Sequence, residues 1–156
     1  SMPILTQYLK PDCVTVPLES TRKVDAIREL AGLFADSNCI TDFRRFLSAL
    51  LQKEQRFGSG VEKGVALPHY RDESIVAPIV GIGVSPEGID WGDGQRVHIL
   101  VLVGWPDKHQ GAYLKIVAQL ASSLHQDDVR SRILRATDSR QVIRHISASS
   151  SVSATS

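Results

Sequence analysis

Two long apolar segments follow each other in the second half of the chain, and they restrict the fold more than any other feature of the sequence. They are SIVAPIVGIGVS, residues 74–85, and RVHILVLVGW, residues 96–105. Continuous apolar runs of this kind are typical of strands that are covered on both faces. The turn-rich stretch EGIDWGDGQ between them predicts a hairpin with a long loop. The two segments therefore predict a central sheet between layers of helices.

The rest of the chain supplies the helices for such a fold. Alternation predicts a short strand at 13–18, and helical periodicity predicts helices within 20–38, 41–56, 109–126, 127–136 and 138–147. Ser20 or Thr21 is the expected N-cap of the first helix, with Val24 on its buried face. Thr41 or Asp42 is the expected N-cap of the second. This order of elements predicts an α/β fold with helices on both sides of the sheet.

Composition excludes several classes of protein. A length of 156 residues suits one domain, and a net charge of +1 is too small to favour nucleic acid as a partner. The two cysteines show no metal-binding or disulfide spacing, which favours reduced thiols in a cytoplasmic protein. No apolar run reaches the ~20 residues that membrane insertion needs. The serine-rich residues 147–156 predict a linker or tail after a domain at 4–146.

One histidine stands out from the other four. His69 ends the short apolar segment GVALPH, directly after a proline and close to a loop that contains Ser59 and Gly60. Proline cannot donate within a sheet, so the strand is expected to end there. A glycine-rich loop can direct its N–H groups at an anion. The pattern is compatible with a prepared imidazole and equally with a structural one.

Among the others, His98 lies within an apolar strand and is expected to be structural, and His125 and His145 lie on late helical segments and are expected to be solvated. His109 falls in the loop between the last strand and the next helix, where functional groups often cluster.

The segment KEQRFGSGVEKGVALPHYRD resembles the phosphorylation motif of type-2 EIIA domains of the bacterial phosphoenolpyruvate-dependent sugar phosphotransferase system, the fructose/mannitol and nitrogen-regulatory branch. In that pattern a basic-acidic pair ends a helix, a Ser/Thr-Gly loop follows, and an apolar strand ends in Pro-His. The corresponding parts are Lys53-Glu54, Ser59-Gly60 and residues 65–69. The resemblance continues to about Ile146, and it implies a mixed β-sheet flanked by helices.

The resemblance also implies phosphoryl transfer. An HPr-like phosphocarrier protein would phosphorylate Nε2 of His69, and the group would pass to a cysteine of an EIIB partner or remain as a regulatory mark. Such chemistry needs alignment and charge neutralisation more than covalent help. Lys53, Ser59 and Gly60 would provide these, and no metal or organic cofactor is implied. The serine-rich end suggests fusion to a larger protein, such as an ion transporter.

The sequence departs from the family pattern at four positions. Lys53 replaces the usual arginine and cannot form a bidentate pair with a phosphate. Glu62 replaces a loop glycine and would repel a phosphoryl group if it pointed inward. Tyr70 replaces a small residue where a partner must approach. Tyr113 replaces a second histidine; it can donate a hydrogen bond but carries no charge, and His109 is an alternative substitute.

These departures favour a regulatory site over a high-flux sugar relay. A second hypothesis is a non-enzymatic binding module with a degenerate site, in which the cleft recognises a partner surface or a small ligand. The residues around its mouth that favour this are Tyr70, Trp105, Tyr113 and Glu62, since aromatic residues are common at recognition surfaces. Hydrolysis by a Ser59–His69 pair is disfavoured because no nucleophile elbow or orienting acid accompanies it. If the 74–85 strand lay at the margin of the sheet, it would favour a homodimer through edge pairing.

Overall fold

The computed structural model describes residues 3–108 and 110–155. Its helices are α1 (Pro3–Thr6), α2 (Lys23–Ala31), α3 (Phe43–Phe57), α4 (Gln110–Leu124), α5 (Asp127–Leu134) and α6 (Ser139–Thr155). Its strands are β1 (Val14–Thr15), β2 (Val61–Glu62), β3 (Val65–Ala66), β4 (His69–Asp72), β5 (Ile79–Gly92) and β6 (Gln95–Pro106). Short 3₁₀ turns cover Pro11–Cys13 and Gly32–Phe34.

The six strands form one mixed sheet with the order β1-β5-β6-β3-β2. The long strands β5 and β6 are antiparallel and make its centre. β3 and β4 both pair with β6 in parallel, one after the other, so that they act as two parts of an interrupted strand. The predicted mixed sheet with helices on both sides is thereby confirmed.

Alternate residues of β6 face two separate cores. Ile99, Val101 and Val103 pack in one core beneath α1, α4, α5 and α6. Leu100 and Leu102 pack in the other beneath α2 and α3. Both faces of the central strands are therefore covered, as their continuous apolar sequence predicts.

The predicted hairpin is confirmed, but the prediction of a long loop between its strands is wrong. β5 continues to Gly92, and only Asp93 and Gly94 connect it to Gln95 at the start of β6. Both turn residues have positive φ, 55° and 76°, which matches the type I′ turn that the right-handed twist of a hairpin favours. A register shift between Val84 and Ile89 lets the strand pass through its polar stretch.

The helix caps show one correct and one wrong prediction. Asp42 caps α3, because its side chain accepts a hydrogen bond from the N–H of Arg45 at 3.0 Å. The first long helix begins later than predicted, at Lys23, and its N-cap residue Arg22 makes no side-chain cap. Ser20 instead donates its hydroxyl hydrogen to Glu29, 2.6 Å away.

Two further expectations need correction. Val24 was expected on the buried face of its helix, yet it is 50% exposed. β5 lies between β1 and β6 rather than at the margin of the sheet, so the condition on which edge pairing into a homodimer depended is not met. α6 runs through the serine-rich residues to Thr155, and the proposed boundary between domain and tail stays a prediction.

Candidate functional site

The strand that carries His69 enters the sheet directly after a proline. Val103 of β6 donates its N–H to the carbonyl oxygen of Pro68, and His69 then lies opposite Val103 in the parallel register. Proline itself has no N–H to offer at this point. The half-buried imidazole is therefore held at the beginning of β4, next to the loop that precedes it.

The imidazole of His69 has a defined orientation. Its Nδ1 atom lies 2.7 Å from the carbonyl oxygen of Leu67. A carbonyl oxygen can only accept, so Nδ1 donates and the neutral ring carries its proton there. Among the described residues no group hydrogen bonds to Nε2. The ring therefore offers the lone pair of Nε2 as its nucleophilic atom.

Two cavities adjoin His69. One, of about 360 Å³, is lined by the end of α3 and the following loop, including Lys53, Ser59 and Gly60. The other, of about 330 Å³, is lined by Arg71 and Tyr113, with His69 and Lys53 again contributing. Each is many times the volume of a water molecule. The fold thus brings together His69, Lys53, Ser59, Gly60 and Tyr113, and leaves room for a group beside the imidazole.

Lys53 reaches the site from α3. Its ammonium donates to the backbone carbonyl of His69 and lies 5.8 Å from the centre of the Tyr70 ring. Burial lowers the pKa of Lys53, and the positive charge of Arg71 acts in the same direction, while Glu54 opposes them. One of the three ammonium hydrogens is used by the carbonyl, so the remaining donors can still serve an anion.

Ser59 is held in place by a buried carboxylate. Glu54, which is 7% exposed, accepts both the backbone N–H and the hydroxyl hydrogen of Ser59. Lys23 of α2 pairs with the same carboxylate at 3.0 Å. Burial would raise the pKa of Glu54, but the hydrogen bonds from Ser59 and Lys23 outweigh it and lower the pKa. In this conformation Ser59 directs its donors at Glu54, and its oxygen lone pairs remain available to a donor.

Tyr113 stands where the family pattern suggests a second histidine. Its ring centre lies 5.9 Å from that of His69, and the residue is 5% exposed. Burial raises the pKa of its phenol, so the group stays neutral near pH 7. Tyr113 can therefore shape the site and donate a hydrogen bond, but it brings no charge.

Arg71 is a site residue that the sequence reasoning missed. It lies two residues after His69 in β4, so both side chains extend from the same face of the strand. Its guanidinium lies 5.5 Å from the centre of the Tyr113 ring, and it forms no ion pair within the described part of the chain. The alternation in HYRD was the available signal. Arg71 supplies the guanidinium that Lys53 lacks.

The remaining departures have simple structural outcomes. Glu62 is directed away from the site, because its carboxylate pairs with the exposed His125 at 3.2 Å and lines neither of the two cavities. The ring of Tyr70 packs against Phe46, with 6.4 Å between the ring centres. The alternative substitute His109 lies outside the described residues.

Residues 3–108 and 110–155 contain no cluster of three or more histidine, cysteine or acidic side chains that could hold a metal ion. None of the helices in those ranges combines the length and the apolar character needed to cross a membrane.

The chain resembles known proteins in sequence. The chain is 31% identical over 126 residues to the PTS system fructose-specific EIIA component of Haloferax volcanii, covering 80% of this chain and 81% of that protein. It is 23% identical over 141 residues to the PTS system fructose-specific EIIABC component of Bacillus subtilis, covering 89% of this chain. It spans only 22% of that longer relative.

The fold is shared with a solved structure. The nitrogen regulatory protein IIA-Ntr of Neisseria meningitidis superposes with a TM-score of 0.81 at 20% identity, covering 92% of this chain and 99% of that one. At this identity the likeness concerns the fold alone. The family model described as phosphoenolpyruvate-dependent sugar phosphotransferase system, EIIA 2, matches residues 7–149. The chain therefore belongs to the EIIA type 2 family of the phosphoenolpyruvate-dependent sugar phosphotransferase system.

Proposed function

We propose that the domain accepts a phosphoryl group on Nε2 of His69 from an HPr-like phosphocarrier protein, in the cytoplasm, and that its duty is regulatory. The observation that carries this proposal is the hydrogen bond from Nδ1 to Leu67, which leaves the Nε2 lone pair free beside two cavities. Family membership supports the same chemistry.

The transfer step balances without a cofactor. The lone pair of Nε2 forms a bond to phosphorus as the bond between phosphorus and the donor's histidine nitrogen breaks. The proton on Nδ1 stays in place, so His69 becomes a phosphorylated imidazolium whose N–H is stabilised by the Leu67 carbonyl. The phosphoryl oxygens keep their negative charge throughout, and alignment and charge neutralisation supply most of the catalysis.

Two basic side chains, Lys53 and Arg71, provide the positive charges that neutralise those oxygens. Lys53 and Arg71 both line the cavity that contains His69 and Tyr113. A guanidinium can bind two phosphate oxygens at once, whereas an ammonium acts as a point charge. We therefore assign the bidentate role to Arg71 and a supporting role to Lys53, because the hydroxyl hydrogen of Ser59 is already donated to Glu54.

A regulatory duty is favoured by the neutral Tyr113 and by the partial engagement of Lys53. Tyr113 adds no positive charge, and Lys53 spends one donor on the His69 carbonyl. Both features reduce stabilisation of the transferring group relative to a site with two further cations. The acceptor is an EIIB domain or a transporter domain, and the name EIIABC of the Bacillus subtilis relative supports this class of partner.

The binding-module alternative receives less support. It relied on an aromatic recognition surface, but Trp105 is 2% exposed and Tyr113 is 5% exposed. These rings belong to the core beneath α1 and α4 rather than to an accessible surface.

Incubation with enzyme I, HPr and phosphoenolpyruvate, followed by intact-mass analysis, tests the proposal. We expect the mass of one phosphoryl group, labile to acid and absent in His69→Ala. His125→Ala is the matched control, since that imidazole is exposed and pairs with Glu62 outside both cavities. A wild-type chain that stays unmodified while a known EIIA domain is phosphorylated in the same mixture would contradict the proposal.

A further inference from the structure

The outer surfaces of α2 and α3 form an open groove of about 690 Å³ that the site around His69 does not use. Its apolar floor consists of Val24, Leu47 and Leu51. We call this surface the α2–α3 groove and define it by those three residues together with Lys23, Arg28 and Arg44. Val24, at 50% exposure, is one of the most exposed large apolar side chains among the described residues.

The rim of the groove is strongly basic. Lys23, Arg28 and Arg44 line it, and Glu54 is the only acidic residue among its described lining residues. The carboxylate of Glu54 is already engaged by Ser59 and Lys23. Arg28 and Arg44 are exposed, and neither forms an ion pair within the described ranges. Three basic side chains against one acidic side chain leave the lining of the groove positively charged.

The groove is elongated, which suits the binding of an α-helix. α3 contributes Arg44, Leu47, Leu51 and Gln55 on successive turns of one face. Residues 44 and 55 are about 16 Å apart along the helix axis, which is about three helical turns. Small-molecule sites enclose most of their ligand, whereas a trough between two helices accommodates the apolar face of a third.

We propose that the α2–α3 groove binds an amphipathic helix of a partner protein that carries acidic residues on both sides of its apolar stripe. The apolar stripe packs on Val24, Leu47 and Leu51. The flanking carboxylates pair with Arg28 on one wall and Arg44 on the other, which fixes the position of the helix and steers its approach.

The groove is connected to the cavity beside His69 through one ion pair. Glu54 lines both the groove and that cavity, and it binds Lys23 on one side and Ser59 on the other. A partner carboxylate that pairs with Lys23 competes with Glu54 for its ammonium. Docking therefore changes the environment of Ser59, even though the partner does not reach the phosphoryl site.

Titration of the ¹⁵N-labelled chain with a synthetic acidic amphipathic helix of about 14 residues tests the inference by NMR. The peptide carries leucines at i, i+4 spacing with flanking glutamates. We expect shift changes in α2 and α3 and at the Ser59 amide. The double variant Arg28→Glu/Arg44→Glu should weaken binding by at least about tenfold. Arg140→Glu, at an exposed arginine of α6, is the matched control and should bind as the wild type does.

Several results would overturn the inference. Equal binding of a peptide with lysines in place of the glutamates would exclude charge recognition, and unchanged affinity of the double variant would exclude the groove. Shifts from octanoate or from phosphatidylglycerol vesicles, without peptide binding, would assign the groove to a small carboxylate or to a membrane. Peptide binding that leaves the Ser59 amide unshifted would overturn the connection to the cavity. None of these measurements requires His69 to be phosphorylated, so they are independent of the proposed function.

Discussion

Glu54 and Ser59 are joined twice, because one carboxylate accepts both the backbone N–H and the hydroxyl hydrogen of the serine. The contact spans the end of α3 and attaches the loop before β2 to the helix. Lys23 completes the pairing of the carboxylate from α2. These partners compensate the cost of burying the Glu54 carboxylate, whereas a buried charge with a missing partner is costly.

Replacement of Glu54 by glutamine should therefore reduce stability in a pH-dependent way. The folded-state pKa of Glu54 lies below its ordinary value, so its contribution is fully present above the unfolded pKa of about 4.3 and is lost as the pH falls through the folded pKa. We expect Glu54→Gln to cost about 1–3 kcal/mol near neutral pH and less below about pH 4. Urea unfolding of the wild type and of Glu54→Gln, at neutral pH and below about pH 4, measures the difference in the free energy of unfolding.

The exposed Glu73 provides the control for this experiment. Its carboxylate pairs with Arg45 at the surface, where ion pairs contribute little. Glu73→Gln should change stability by less than about 1 kcal/mol at any of these pH values. A constant difference between Glu54→Gln and the wild type across the acid range would contradict the assigned role of Glu54.

The hydrogen bond from His69 to Leu67 predicts which isomer of phosphohistidine forms. With Nδ1 committed to the Leu67 carbonyl at 2.7 Å, only Nε2 is available as a nucleophile. We expect ¹⁵N NMR of the unmodified ring to show the proton on Nδ1, and ³¹P NMR of the phosphorylated chain to show attachment at Nε2. Phosphate on Nδ1 would mean that the imidazole ring flips, and so loses its hydrogen bond to Leu67, before it reacts.

Arg71 is predicted to determine the rate of phosphoryl transfer. The guanidinium of Arg71 can donate two parallel hydrogen bonds to a group beside His69. Arg71→Gln should therefore lower the initial rate of phosphoryl transfer about tenfold to a hundredfold. Arg71→Lys, which keeps the charge but not the fork, should recover part of the loss. Arg140→Gln serves as the distant control, and thermal unfolding of all three variants checks the fold. Wild-type rates in Arg71→Gln would remove Arg71 from the mechanism.

Two glycines should respond oppositely to alanine. A Cβ at Gly81 would lie 2.7 Å from the buried ring of Phe34, so Gly81→Ala should destabilise the fold by about 1–3 kcal/mol. Gly32 is exposed, has helical φ and ψ of −58° and −24°, and leaves open space for a Cβ. Gly32→Ala should stabilise by roughly 0.5–1 kcal/mol. Thermal or urea unfolding distinguishes the two, and equal effects would contradict this packing.

The layered fold could be predicted from the sequence because its strongest signals are local. The apolar segments at 74–85 and 96–105 indicated the central strands, and Asp42 was recognised as a helix cap. The prediction that Ser20 caps the first long helix was wrong, since its hydroxyl donates to Glu29, nine residues away. The tight Asp93–Gly94 turn was present in the sequence as a hairpin signal, but the surrounding polar residues concealed how far β5 extends.

Most of the site was predictable from one motif, and Tyr113 was predicted from the family resemblance outside that motif. His69, Lys53 and Ser59 follow from a continuous stretch of sequence, and the fold brings them together. Arg71 required the two-residue periodicity of β4 to be applied beyond the motif. The pairing of Lys23 with Glu54 joins residues from different helices, and no local pattern indicates such a contact.

The margin of the sheet at β4 has a consequence for solubility. β2 covers the outer side of β3, whereas β4 pairs with β6 alone among the described strands. Unpaired backbone groups at such an edge invite other molecules to add strands and aggregate. Lys53 occupies the carbonyl of His69 at this edge with a charged group, so the same lysine that lines the cavities beside His69 also blocks one backbone acceptor with which an added strand would pair.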